Sequence, residues 1–228
     1  MALGQTQLEC MQEAAAVIRD KTMPQLEWLY GVDGVFPQEY HHPQHTQETV
    51  DSAIEICEPA LADGKIEPFH IPLIVIGAVK HDYRYNAHNK EKNEEYSGDA
   101  AVKDMKEFDC FDEEHFAFVR RLINATRVTV FFPRLIQNVD PNEYAQCIIA
   151  DADLHYFGRE PAEFLPRALS YLEELKRTMG QKALPFLMNN VVLLQNHQWN
   201  TTEAGVLYPH INDNIAALKS HQTTLAVQ

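Results

Sequence analysis

Apolar residues at helical spacing recur along most of this 228-residue chain, and that periodicity limits the fold more than any other feature. Met11, Ala15 and Ile18 share one helical face, and the Met23-Pro24 step predicts that this helix ends near Asp20. Val50, Ile54, Cys57 and Leu61 line a second helix, which starts after Pro43 and stops at the Asp63-Gly64 turn. From Pro72 to Tyr85 the Leu-Ile-Val-Ile run also suits a buried strand. Its continuation through Ala78 to Asp82 without a turn signal favours a buried helix with Pro72 in the first turn. Further helices are predicted from Glu94 to Glu107, Glu113 to Ala125, Asn142 to Phe157, Glu160 to Thr178 and Lys182 to Gln198. A shorter one follows around Ile211 to Lys219, before frayed last residues. Only Val128 to Phe132 reads as strand, too little for a sheet. With no repeat and no Gly/Ser-rich linker, the expectation is an all-α fold in a single domain spanning residues 1–228.

Charge narrows the partners. Acidic residues outnumber basic ones 33 to 19, for a net charge of −14 and a pI near 5.1. Nucleic-acid polymers are held by Lys and Arg neutralising phosphates, so this balance argues against them. A small anion stays open, because a metal and a few local bases can override the overall field. The apolar run from Ile71 to Val79 is too short to span a bilayer, and Met1 to Ala16 lacks a basic segment followed by an apolar core. Cys10, Cys57, Cys110 and Cys147 are scattered, as free thiols in a reducing compartment would be. The sequons at Asn124 and Asn200 then read as chance. These features together predict a soluble, cytoplasmic protein that binds no membrane; a homo-oligomer is compatible with them.

Three short elements carry chemistry. Tyr40-His41-His42-Pro43-Gln44-His45 places three imidazoles within five positions, just before a helix. His81-Asp82 ends the apolar run from Ile74 to Val79, where burying an imidazole and a carboxylate is costly unless they are paired or metal-bound. Asp151-Ala152-Asp153-Leu154 sets two carboxylates after the apolar residues Cys147 to Ala150. Each alone also fits an ordinary role: a solvated loop, a core histidine beside a helix-end aspartate, the wet edge of an amphipathic helix.

In this order, however, the elements resemble the HD-domain superfamily of metal-dependent phosphohydrolases. The resemblance covers about residues 40–158. Tyr40-His41-x-x-x-His45 is similar to the opening of the phosphodiesterase-like branch. Lys92-Asn93-Glu94-Glu95-Tyr96-Ser97 resembles an acidic stretch after the HD pair, and Asp153-Leu154 with Gly158 resembles the closing segment. The resemblance implies an HD-type helical bundle holding one divalent metal ion through His45, His81, Asp82 and Asp153. Mixed imidazole and carboxylate donors suit Mn, Fe, Ni, Zn or Mg. Asp151 competes with Asp153 for the last position, and family register favours Asp153, leaving Asp151 to orient a ligand or water. A binuclear site would need further histidines between the HD pair and the last aspartate, where only His88 and His115 stand.

The same resemblance makes His41 the proton donor to the leaving oxygen, with Glu94 and Glu95 as candidates to position the attacking water. Phosphate contacts are sought among Lys80, Arg84, Lys90, Lys92 and Arg127. Tyr83, Tyr85, Tyr156 and Phe157 flank the ligands and suit either stacking on a base or the core. The implied activity is hydrolysis of a phosphate ester on a phosphorylated small molecule, a nucleotide or cyclic nucleotide foremost. A degenerate HD domain that only binds a nucleotide or a partner is the rival reading, as is an HD-type hydrolase of a non-phosphate bond.

Overall fold

In the computed structural model, residues 5–86, 92–179 and 184–226 are described. The first six helices form one body: α1 (Gln5–Tyr30), α2 (Pro43–Ala62), α3 (His70–Lys80), α4 (Asn93–Met105), α5 (Glu113–Ala125) and α6 (Tyr144–Asp153). A 3-10 turn (His155–Gly158) leads to α7 (Pro161–Met179), α8 (Leu184–Gln195), α9 (Thr202–Leu207) and α10 (Ile211–Ala226). The fold is all-α, compatible with a single-domain bundle, and no helix among the described residues is long and apolar enough to cross a membrane. The four cysteines are free.

α3 is the axis. Its sequence, HIPLIVIGAVK, is apolar almost all round, and Leu73, Ile74, Ile76 and Val79 are fully or almost fully buried. A helix with no polar face has to sit inside the domain. Here α1, α2, α4, α5 and α6 surround it with Ile18, Val50, Met105, Leu122 and Ile149. Each such side chain contributes roughly 1.5–3 kcal/mol on burial. Gly77 marks the closest approach: a Cβ there would meet Ile149 Cδ1 at 3.0 Å and Leu122 Cβ at 3.3 Å. A second apolar cluster joins the 3-10 turn to α7, α8 and α10 through Phe157, Phe164, Leu194 and Leu218.

The sequence expectations miss at element ends. α1 does not stop at Asp20 but runs through Pro24 to Tyr30. One missing N–H donor is offset by burial of Leu26 and Tyr30 beyond it. α3 ends at Lys80, and the expected continuation is instead a turn in which Tyr83 N and Tyr85 N donate to Lys80 O and Asp82 O. α6 stops at Asp153, and the expected remainder is the 3-10 turn. Val128–Phe131 does form a sheet, pairing antiparallel with Arg134–Gln137 as β1 and β2. The partner strand is too short and polar to announce itself. α9 went unpredicted, although Thr201 caps it by accepting from Ala204 N. α10 reaches Ala226 where fraying was expected.

Candidate metal centre

α2 begins where the sequence sets three local signals together. Pro43 occupies the first turn, where its missing N–H costs nothing, and His42 caps the helix by accepting from Gln44 N at 3.1 Å. Burial and nearby Arg167 lower the His42 pKa to about 4, so the cap is a neutral imidazole. His45 then falls on the inward face, 2% exposed. His41 lies just outside the helix, so the pair does not share a helical face.

His45, His81 and Asp153 form a buried group that could hold a metal ion. They come from α2, the residue after α3, and the last position of α6. His45 Nε2 lies 3.1 Å from Asp153 Oδ1 and 3.4 Å from His81 Nε2. Asp82 joins them, with Oδ2 at 3.0 Å from His81 Nε2 and 3.7 Å from His45 Nε2. Donors about 2.1 Å from a common cation stand roughly 3.0–3.4 Å apart in octahedral or tetrahedral arrangements, so the spacing suits one divalent ion.

The protonation states suit it too. His81 Nδ1 donates to Ala78 O at 2.7 Å, which turns Nε2 toward the carboxylates. Burial alone would lower the His81 pKa and raise those of the acids. The carboxylates win, raising His81 well above its usual value, while the two imidazoles hold Asp153 down. Asp82 is likewise lowered, by His81 and then His41. A buried and a half-buried carboxylate that both stay ionised want a cation, and a metal can replace the proton on His81.

Asp151 is not at this site. Both its oxygens are used on the opposite side of α6, accepting from Asn200 N and Nδ2 and from Thr201 N and Oγ1 at 2.8–2.9 Å. The expectation that it orients a ligand or water is therefore corrected: it fastens the segment entering α9. The Asn200 sequon side chain is spent on this contact.

His41 has a partner that sequence reasoning missed. Its Nδ1 donates to Glu174 Oε1 at 2.5 Å, while Tyr85 donates to the same oxygen at 2.9 Å. Glu174 Oε2 accepts from the backbone N–H groups of Tyr40 and His41. The imidazole also stacks on Tyr85 at 3.8 Å. Burial would raise the Glu174 pKa, but His41 and these N–H donors bring it down to about 2. Glu174 lies three residues after Tyr171, at the edge of the apolar stripe of α7. That helical phase is the one signal that separates it from exposed Glu173.

The remaining candidates divide. His41, His81, Asp82, Asp153, Glu94, Arg127, Tyr85, Tyr156 and Phe157 line one cavity of about 900 Å³. Arg127 Nε donates to Glu94 Oε2 at 3.2 Å. Lys80 is elsewhere: fully buried, it sits 2.6 Å from Asp104 Oδ2 and over the Tyr83 ring, because α3 is enclosed on every side. Arg84 is exposed beside Tyr83, whose hydroxyl donates to Gln25. Glu95 and Lys92 are exposed as well, since only one edge of the first turn of α4 faces inward. His115 completes the capping box of α5 with Asp112, far from a ligand role. His88 and Lys90 lie outside the described residues. Gly158 matches a close approach, as a Cβ there would stand 2.1 Å from Tyr208 O.

Comparison with protein-family models, curated proteins and solved structures finds no match to this chain.

Proposed function

We propose that the protein is a metal-dependent phosphohydrolase of the HD type, which hydrolyses a phosphate ester on a small molecule. The observation that supports this most is the convergence of His45, His81 and Asp153, with Asp82 Oδ2 3.0 Å from His81 Nε2, beside the His41–Glu174 pair. A divalent cation held there supplies a lowered water pKa, toward about 7, and charge neutralisation on the phosphoryl oxygens.

The chain's own groups do the rest. Glu174 fixes His41 Nδ1 as a donor, so Nε2 is the nitrogen that exchanges a proton with substrate. The carboxylate also stabilises the imidazolium, which gives its proton to the departing alcohol oxygen as the P–O bond breaks. In this reading Asp82 accepts the proton lost by the attacking water. Arg127, oriented by Glu94, offers a guanidinium to the remaining phosphoryl oxygens.

The test is elemental analysis of the purified protein together with phosphate release in the presence of manganese, magnesium, nickel or iron. One metal per chain and turnover of a phosphate ester are expected. Asp82→Ala should lose both, and undiminished turnover by a metal-free Asp82→Ala protein would sink the reading.

A further inference from the structure

The cavity beside the metal ligands has two chemically different walls. One carries His41 just before α2, His81 and Asp82 just after α3, Glu94 of α4 and Asp153 of α6. The other is built from Leu154 and Phe157 of the turn region, Phe164 and Ala168 of α7, and Leu193 and Leu194 of α8. These belong largely to the second apolar cluster and sit around empty space rather than closing it.

The polar groups between the walls are mostly committed. Tyr85 donates to Glu174, Thr126 Oγ1 donates to Ile123 O, and Asn93 Oδ1 accepts from Asn86 N. Among the described lining residues Arg127 is the one guanidinium, already paired with Glu94, and there is no lysine. One phosphoryl group can be matched by a divalent cation, Arg127 and protonated His41. A triphosphate would bring several more charges to a region that already holds Asp82, Asp153, Glu94 and Glu174. Apart from Tyr171 and Asn190, the α7 and α8 wall offers ribose hydroxyls and base edges only apolar groups, so most of the hydrogen bonds that water supplies would be lost.

Resting on the phosphohydrolase reading, we infer that the substrate is the monophosphate ester of an apolar alcohol, with its hydrocarbon part lodged against α7 and α8. The reaction is balanced by water alone. The bond from phosphorus to the alcohol oxygen breaks, a bond from phosphorus to the water oxygen forms, and the products are the alcohol and inorganic phosphate.

The experiment uses the manganese-loaded full chain and a series of n-alkyl phosphates from butyl to decyl, with a nucleoside monophosphate and a nucleoside triphosphate alongside. Released phosphate gives kcat/KM. The proposal expects kcat/KM to climb about threefold to fourfold per added methylene until the cavity is filled, with both nucleotides slower than decyl phosphate. Ala168→Phe and Leu193→Trp, which fill the apolar side, should flatten that climb; melting curves establish that each variant is folded. In parallel, calorimetry compares butylphosphonate with decylphosphonate, which cannot be hydrolysed. Tighter binding of the decyl compound supports the apolar site even if no phosphate ester is turned over, an outcome that would count against the phosphohydrolase reading alone. Nucleotide turnover with no dependence on alkyl length would overturn the apolar substrate and leave the phosphohydrolase standing. Equal binding of the two phosphonates overturns the inference whatever the turnover.

Discussion

Helix α6 places two aspartates two residues apart on opposite sides, and their surroundings give them opposite character. Asp153 faces His45 and His81, and its carboxyl is held well below the usual range. Asp151 faces only neutral donors from Asn200 and Thr201, and burial outweighs those four hydrogen bonds, raising its pKa to about 6. At Asp151 the hydrogen bonds do not offset the cost of burial, whereas at Asp153 the facing imidazoles do. The difference separates a group suited to binding a cation from one suited to holding a loop.

The largest expected effect breaks the pair apart. Asp153→Ala removes a carboxylate from the cluster and should cost at least about 1,000-fold in turnover, equivalent to roughly 4 kcal/mol. Bound metal, measured by elemental analysis, should fall with it. Asp151→Ala should leave metal content unchanged and lower stability instead. Four donors lose their acceptor, partly offset by relief of a desolvated charge, so about 2 kcal/mol is expected in urea unfolding at neutral pH. Metal loss in Asp151→Ala with unchanged stability would reverse the assignment of the two faces.

The pH dependence sharpens the same contrast. The folded-state pKa of Asp151, about 6, stands above the usual 3.8, so folding favours its protonated form. Its stabilising contribution is complete below pH 3.8 and is lost as pH rises through 6. Glu174 has the other sign: at about 2 against a usual 4.5, its contribution is present above pH 4.5 and lost as pH falls toward 2. Each difference corresponds to a contribution on the order of 3 kcal/mol. Subtracting the stability of Asp151→Asn from that of the wild type should give a difference that falls between pH 4 and about 6 and stays level above it. The same subtraction with Glu174→Gln should rise between about pH 2 and 4.5. Parallel slopes would remove the basis for distinguishing the two carboxylates.

Glu174→Gln should also lower kcat by roughly 10- to 100-fold, because the amide no longer stabilises the His41 imidazolium. A positioning role predicts that the alkaline limb of the kcat profile, set by deprotonation of His41, moves to lower pH as well. A fall in kcat with the pH profile unmoved would reduce Glu174 to packing.

Much of this contrast was legible beforehand, and the remainder had a physical reason to stay hidden. The apolar run ending in His81-Asp82 announced a buried helix with polar groups at its tip, and the structure brings His45 and Asp153 to that tip. Periodicity located the helices because burial imposes it, yet it misplaced their ends, where single hydrogen bonds decide: Pro24 inside α1, the turn after Lys80. Lys80 and Asp151 read as site residues because they adjoin or resemble ligands in sequence. One helical step of about 100° turned Lys80 onto another face, and two steps turned Asp151 to the opposite side. Glu174 was missed for the converse reason, standing more than a hundred residues from His41 in a helix crowded with surface charge.

The smallest effects test that lesson on adjacent residues. Glu94 and Glu95 are neighbours at the start of α4, and one helical step separates the cavity from solvent. Glu94 accepts from Arg127 Nε, and Arg127 Nη2 also lies 3.2 Å from the same oxygen, so the carboxylate fixes the guanidinium plane. Glu94→Gln keeps the size but weakens that hold, and kcat/KM should fall by about tenfold as the guanidinium swings away from the phosphoryl oxygens. Glu95→Gln removes an exposed charge and should change kcat/KM by no more than about twofold, an effect that shrinks further as salt is added. Equal losses from the two substitutions would mean that general acidity near α4, rather than the placement of one carboxylate on Arg127, is what the reaction uses.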